Sequence, residues 1–313
     1  MKFLPTTKEE MKNLGWDSID VLLISGDTYL DTSYNGSALV GKWLVEHGFK
    51  VGIIAQPEVD VPDDITRLGE PNLFFAISGG CVDSMVANYT ATKKRRQQDD
   101  FTPGGENNKR PDRAVLVYSN MVRRFFKGTT KKIVISGIES SLRRITHYDY
   151  WTNKLRKPIL FDAKADILSY GMGEMSMLQL ATALKNGEDW QNIRGLCYLS
   201  KENKEDYLSL PSHSECLADK DKFIEAFHTF YLNCDPITAK GLCQKCDDRY
   251  LIQNPPSESY SEEIMDKIYA MEFARDVHPY YKKMGAVRAL DTIKYSVTTH
   301  RGCYGECNFC AIA

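Results

Sequence analysis

Short continuous apolar runs alternate along the chain with stretches whose apolar residues recur every three to four positions. "DVLLISG" (20–26) predicts a buried strand and "GSALVGKWLVEHG" (36–48) a helix closed by Gly48, followed at once by a second strand, "FKVGIIAQP" (49–57). Strand-like runs recur as "LFFAISGG" (73–80), "RAVLVYS" (113–119), "KKIVISGIE" (131–139), "ADILSYGMG" (165–173) and "GLCYLS" (195–200), most of them followed by helix-length segments. Strands that are apolar without alternation are buried on both faces, as in a parallel sheet covered by helices. The expected fold class is α/β, an open doubly wound parallel sheet over about residues 1–205.

From about residue 206 the texture changes to helical patterns. "DKFIEAFHTFYLN" (221–233) places Phe223, Ile224, Phe227 and Tyr231 on one expected core face. A Pro-Pro stop and a capping box from Ser259 to Glu262 open a further helix. Residues 206–288 are expected to form a mainly helical connector, and "DTIKYSVTTHRGC" (291–303) predicts a strand, Ile293 to Thr299, that opens a third region, 289–313.

Composition adds limits rather than a partner. A length of 313 residues suits about two domains of ~150 residues. The net charge of −2 gives no global attraction to nucleic acid or to anionic lipid. "MKFLPTTKEEMKNLGW" carries a proline and charges where a signal peptide needs an apolar run, and no apolar run reaches membrane-spanning length. A cytoplasmic protein with no membrane partner is expected. Nine cysteines in a reducing compartment would not persist as disulfides, so they are buried, metal-binding or reactive.

Four strands end in Ser-Gly or Tyr-Gly: Ser25-Gly26, Ser78-Gly79, Ser136-Gly137 and Tyr170-Gly171. Ligands of open α/β sheets bind outside the carboxyl ends of the strands, so this edge is a candidate pocket, although glycine can also serve only to turn strand into helix. "GMGEM" (171–175) resembles a GxG phosphate turn without its third glycine, which makes Gly171 and Gly173 the candidate pocket contacts. The stretch "KKRRQQDDFTPGGENNKRPDR" (93–113) has no apolar periodicity and is expected to be a solvated flap; its basic run is short, followed by Asp99 and Asp100, and gives no clear nucleic-acid signal. "IESSLRRITHYDYW" (138–151) suggests an ion-pair network on a helix face, with Glu139 four residues before Arg143, and a packing role for His147. Cys243-x-x-Cys246 has half the spacing of a zinc site and would need distant ligands such as Cys234 or His228.

The chain ends in "THRGCYGECNFCAIA", where Cys303, Cys307 and Cys310 fall at spacing C-x3-C-x2-C. Three thiolates at these intervals can each bind a different iron of a cubane cluster and leave the fourth iron open to a small molecule. Neither the two-cluster ferredoxin run nor paired CxxC zinc units has this register. A C-x3-C-x2-C loop after a strand, with Phe309 just before the last cysteine, resembles the cluster loop of the radical S-adenosylmethionine (SAM) superfamily. More narrowly, "FLPTTKEEMKNLGWDSIDVLLISGDTYLD", "TPGG", "RPDRA", "GIESSLRR", "ADILSYGMGE", "YLIQNPP", "HPYY" and "HRGCYGECNFC" make the chain resemble the YgiQ-type radical SAM family over essentially all of its length.

The resemblance implies an N-terminal domain similar to cobalamin-binding domains, then a partial β/α barrel holding a [4Fe-4S] cluster and SAM. It implies that Cys303, Cys307 and Cys310 ligate three irons, that SAM chelates the fourth, and that Phe309 lies near the adenine. Reductive cleavage of SAM by an electron from a flavodoxin- or ferredoxin-type donor would give a 5′-deoxyadenosyl radical acting on a substrate the resemblance leaves open. Two departures stand against the pattern. "GDTYLDTSYNG" lacks the histidine of a D-x-H-x-x-G cobalamin loop, so cobalamin is unsupported, although a site without that ligand stays open. The barrel would begin with the Ile293 strand, so the chain is expected to be an N-terminal part of a longer enzyme, truncated after the cluster loop and inactive alone. Two other classes are carried: a non-catalytic Fe-S or zinc-binding regulatory module with a fourth ligand from Cys243, Cys246 or His300, and a cobalamin-dependent radical SAM methyltransferase.

Overall fold

The structure, a computed structural model, describes residues 1–299 and Arg301. The chain divides into two compact units, one formed by Met1–Glu139 with Tyr260–Arg301 and the other by Ser140–Ser259. This division differs from the expected segments 1–205, 206–288 and 289–313, because the chain leaves the first unit at 139 and returns to it at 260.

The first unit begins with α1 (Lys8–Asn13), opened by a capping box in which Thr7 and Glu10 satisfy each other's backbone N–H groups. It continues through β1 (Val21–Ser25), α2 (Gly36–Glu46), β2 (Val51–Ala55), α3 (Pro62–Ile65), β3 (Phe74–Ser78), α4 (Ser84–Asn88), α5 (Ala114–Phe125), β4 (Lys132–Ser136) and α6 (Gly137–Ser141). The strands lie in the order β2-β1-β3-β4, and every pairing among them is parallel. Val21, Leu22, Ile53, Ile54, Phe74, Phe75, Ile133 and Ile135 are all fully or almost fully buried, as parallel strands covered on both faces require. "RAVLVYS", expected as a strand, is the first half of α5. Ala114, Val115, Tyr118, Met121 and Val122 are its buried apolar residues, a three-and-four spacing visible only when the run is extended to Phe125.

The second unit contains the hairpin β5 (His147–Asp149) and β6 (Lys154–Arg156), then α7 (Ile159–Ala163), β7 (Ile167–Ser169), α8 (Gly173–Asn186), β8 (Leu196–Ser200), β9 (Leu208–Leu210), α9 (His213–Ala218), α10 (Lys220–Tyr231), β10 (Leu242–Cys246) and β11 (Arg249–Gln253). Its sheet runs β7-β8-β11-β10-β9, antiparallel except for the β10–β9 pair. The fold is thus mixed α/β, but β8 runs antiparallel to β7 where a parallel strand is expected, and the expected helical connector contains three strands. Asp247-Asp248 explains part of this: two residues join β10 to β11, with Asp247 at φ 55°, and a two-residue turn of that hand allows only an antiparallel hairpin. On α10 the core face is Ala226 and Phe230, whereas Ile224, expected inside, is 61% exposed.

The returning segment carries α11 (Glu262–Ala270), capped by Ser261 rather than by the expected Ser259, then α12 (Pro279–Lys282) and α13 (Ala289–Ile293). Ile293 ends a helix, so the strand expected from Ile293 to Thr299 does not form; among the described residues no strand pairs with this stretch to satisfy its backbone groups. The segment is tied down by buried polar contacts. Lys42 Nζ lies 2.8 Å from Asp31 and donates to the carbonyl of Glu272 at 2.5 Å, and the Asp31 carboxylate accepts from Ala274 N at 2.6 Å. His278 caps α12 through Nδ1, stacks on Tyr29 and meets Glu10 at 3.2 Å. Burial works to raise the Glu10 pKa, but hydrogen bonds from His278 and from the Thr6 and Thr7 backbone outweigh it and hold the carboxyl at about 2. Among the described residues no helix is long and apolar enough to cross a membrane.

Candidate functional site

Cys303, Cys307, Cys310 and Phe309 lie outside the described residues, as does His300. Gly171 follows β7 at φ 72° with open space where a Cβ would stand, and Gly173 is the first residue of α8, whose N-cap Met172 supplies no side-chain cap. Both therefore sit at the end of a short strand of the antiparallel unit. The other three Ser-Gly pairs do share one edge: Ser25, Ser78 and Ser136 are in register across β1, β3 and β4.

That edge is filled by the protein's own charged groups. Arg110, 1% exposed, places Nη1 within 2.6 Å of Asp27 Oδ1 and donates to the carbonyl of Gly79 at 3.1 Å. Its Nε and Nη2 grip the carboxylate of Asp99 in a forked arrangement at 3.1 to 3.3 Å. Asp27 Oδ1 makes the charge contact without a well-aligned hydrogen bond, while Asp27 Oδ2 accepts from Cys81 N at 2.6 Å. Burial opposes the arginine's charge, but the two carboxylates reverse that effect and raise its pKa above the ordinary value. Gln56 completes the floor, accepting from Thr28 Oγ1 and donating to Gly26 O and Thr102 Oγ1. The expected flap is therefore solvated only in part: residues 93–98, Asp100, Gly104, Glu106 and Asn108 are exposed, whereas Asp99, Thr102, Asn107 and Arg110 are buried.

The helix carrying the "GIESSLRR" residues is shorter than expected, since α6 stops at Ser141, before Arg143. The Glu139 carboxylate, 3% exposed, accepts from Ser84 N at 3.0 Å and Val115 N at 3.1 Å, closing the first turns of α4 and α5. Arg144 is buried between the rings of Tyr170 and Phe230, donating to Gln253 Oε1 at 3.1 Å and the Ser141 carbonyl at 2.6 Å. Tyr170 in turn donates to the Asn254 carbonyl, so "GIESSLRR", "ADILSYGMGE" and "YLIQNPP" meet at one place in the second unit. His147 donates from Nδ1 to the Ile145 carbonyl, leaving Nε2 without a hydrogen bond, and burial lowers its pKa to about 4. A cavity of about 700 Å³ in the same unit is lined by Lys157, Ser212, His213, Lys245 and Asp247, but Lys157 is already paired with Asp247 at 2.5 Å.

Six of the nine cysteines are described, all as free thiols. Burial raises the pKa of each, to about 12 for Cys197 and about 11 for Cys216 and Cys246, with Cys81, Cys234 and Cys243 also raised. All six therefore favour the neutral thiol at neutral pH. Cys243 and Cys246 lie three residues apart on β10, and side chains at odd spacing on a strand point to opposite faces. They cannot converge on one ion. Among the described residues no group of three or more Cys, His, Asp or Glu side chains could hold a metal.

Residues 3–296 match the family described as Radical SAM N-terminal. The chain belongs to the Radical SAM N-terminal family. Members of UPF0313 are its relatives: it is 96% identical over 313 residues to a UPF0313 protein of Fusobacterium nucleatum, covering all of this chain and 55% of that protein. A UPF0313 protein of Thermotoga neapolitana is 50% identical over 99% of this chain and 55% of its own length, and one of Clostridium botulinum is 44% identical over 100% and 49%. This Radical SAM N-terminal chain thus spans about half the length of the curated relatives it matches. Among solved structures, the radical S-adenosylmethionine methyltransferase TsrM of Kitasatospora setae aligns at 16% identity and a TM-score of 0.38, over 57% of this chain and 28% of that one in its complex with tryptophan and a SAM analog. The same enzyme with cobalamin and a [4Fe-4S] cluster gives the same identity and score over 58% and 27%. A score that low establishes no common fold.

Asp27, Asp99 and Arg110 were not singled out by sequence reasoning as a site. The signal for Asp27 and Arg110 was present in "GDTYLD" and "RPDRA", charged residues inside stretches that carry the family likeness; Asp99 lies outside those stretches.

Proposed function

We propose that this chain is the N-terminal part of a radical SAM enzyme, with Cys303, Cys307 and Cys310 holding a [4Fe-4S] cluster. The observation that carries this reading is the family match over residues 3–296, directly followed by three cysteines at C-x3-C-x2-C. The donor set fits: three thiolates leave one iron open, and among the described residues no group of three or more Cys, His, Asp or Glu side chains could hold a metal. When bound, the cluster supplies the electron that cleaves SAM to methionine and a 5′-deoxyadenosyl radical. In the full-length protein Cys303, Cys307 and Cys310 would hold the cluster, Phe309 would serve the SAM adenine, and a flavodoxin- or ferredoxin-type donor would supply the electron; the substrate class is unassigned. In the first unit Lys42 and Asp31 hold Glu272 and Ala274, and Tyr29 and Glu10 meet His278, on the approach to the cysteine loop.

Anaerobic reconstitution with iron and sulfide tests the ligand set. The expected result is one cluster's complement of iron and sulfide per chain, lost in Cys303→Ala, Cys307→Ala and Cys310→Ala and unchanged in the Cys243→Ser, Cys246→Ser double variant. Loss of iron in the double variant, or zinc in place of iron, would favour the regulatory metal module instead.

A further inference from the structure

The strands of the first unit run β2-β1-β3-β4, so the chain reverses its direction of travel across the sheet between β1 and β3. In open α/β sheets that reversal opens the crevice where flavins, nucleotides and related cofactors bind. Here the crevice is closed at every level. At its base the β1 and β3 ends touch: Gly26 N donates to Ser78 O at 2.9 Å, and a Cβ on Gly26 would meet Gly79 O at 2.1 Å. The Arg110 guanidinium lies between Asp27 and Asp99 and donates to the Gly79 carbonyl, and Thr102, itself 0% exposed, is bonded to Gln56 and Asp99. The extension of β1 then donates from Thr28 N to Phe101 O at 3.1 Å.

The loop that enters the crevice has a second set of contacts on its outer side. Ala289 N donates to Asp100 O at 2.9 Å, Gly104 N donates to Ala286 O at 2.8 Å, and Arg288 Nη1 reaches Gln98 Oε1 at 2.7 Å. Residues 286–289 lead into α13 and on toward the cysteine-bearing end. One loop thus joins the crevice to the approach segment.

We propose that residues 98–110, with Arg110 at their inner end, are the permanent occupant of this crevice: the unit takes no cobalamin or nucleotide at its strand ends and uses the site to anchor residues 286–289. The residues do not fit cobalamin, since no histidine follows β1 and the space a corrin nucleotide tail would enter holds a buried, fully engaged cation between two carboxylates. The inference goes beyond the cluster reading, and a chain that assembled a cluster but bound cobalamin would fail this proposal alone.

Two measurements on the wild-type chain test it. Hydroxocobalamin mixed with the protein should elute free on gel filtration, with its visible spectrum unchanged; stoichiometric retention would overturn the proposal. In native-state hydrogen exchange the amides of Thr28, Gly104 and Ala289 should exchange only with global unfolding. Fast exchange of these three, in a protein whose β1 and β3 amides stay protected, would show a loop that opens and would equally overturn it.

Discussion

Arg110 puts a full charge inside the first unit, and its neighbours make removal costly. Arg110→Met keeps most of the stem volume but leaves Asp27 and Asp99 as buried carboxylates facing an apolar group, and breaking a buried pair in this way costs about 3–5 kcal/mol. Urea unfolding should show a loss of that order; a loss below ~1 kcal/mol would mean the carboxylates are relieved by water. His147 gives a pH signature. Folding holds it neutral down to about pH 4, while the unfolded chain takes up a proton below its ordinary value of 6.5. The unfolded state therefore binds more protons in that window, and stability is full above pH 6.5 and falls toward pH 4 by up to about 3 kcal/mol. His147→Gln should flatten that part of the stability curve, and an unchanged slope would place the titration elsewhere. Arg110 was not legible for what it does. "KRPDR" in a glycine-rich stretch has the composition of solvent-exposed loop, and only the carboxylates of Asp27, far away in sequence, and of Asp99 explain why it folds inward.

At the scale of elements, the parallel strands of the first unit were legible because residues buried on both faces leave a run with no alternation. What failed was the sense of the later strands. "ADILSYGMG" and "GLCYLS" have the same apolar texture as β1 or β4, and texture carries no direction: β8 pairs antiparallel with both β7 and β11, and the Asp247-Asp248 turn folds β10 and β11 into a hairpin. The strand-end glycines were legible as a pattern, but their purpose differs from site to site. Gly26→Ala would drive a methyl into the Gly79 carbonyl and should cost more than about 2 kcal/mol by overpacking. Gly171→Ala, with φ 72° but open space, should cost only about 1 kcal/mol of backbone strain. Equal losses in thermal or urea unfolding would contradict the close approach of β1 and β3.

For the whole molecule, the family likeness was readable because it rests on residues spread from "FLPTT" to "HRGCYGECNFC", and the match over residues 3–296 bears it out. The division into units was not readable, since nothing local marks the return of the chain at Tyr260 to the unit it left at Glu139. That return brings the segment before the cysteines under the grip of Asp31, Lys42, Glu10 and the loop that carries Arg110. The measurement that bears most directly on the central claim is EPR of the reduced, anaerobically reconstituted cluster, with and without SAM, in the chain extended to the full length of its relatives. The account predicts a [4Fe-4S]⁺ signal that SAM shifts and that Cys303→Ala, Cys307→Ala or Cys310→Ala abolishes. A cluster indifferent to SAM, or a site filled by zinc, would contradict it.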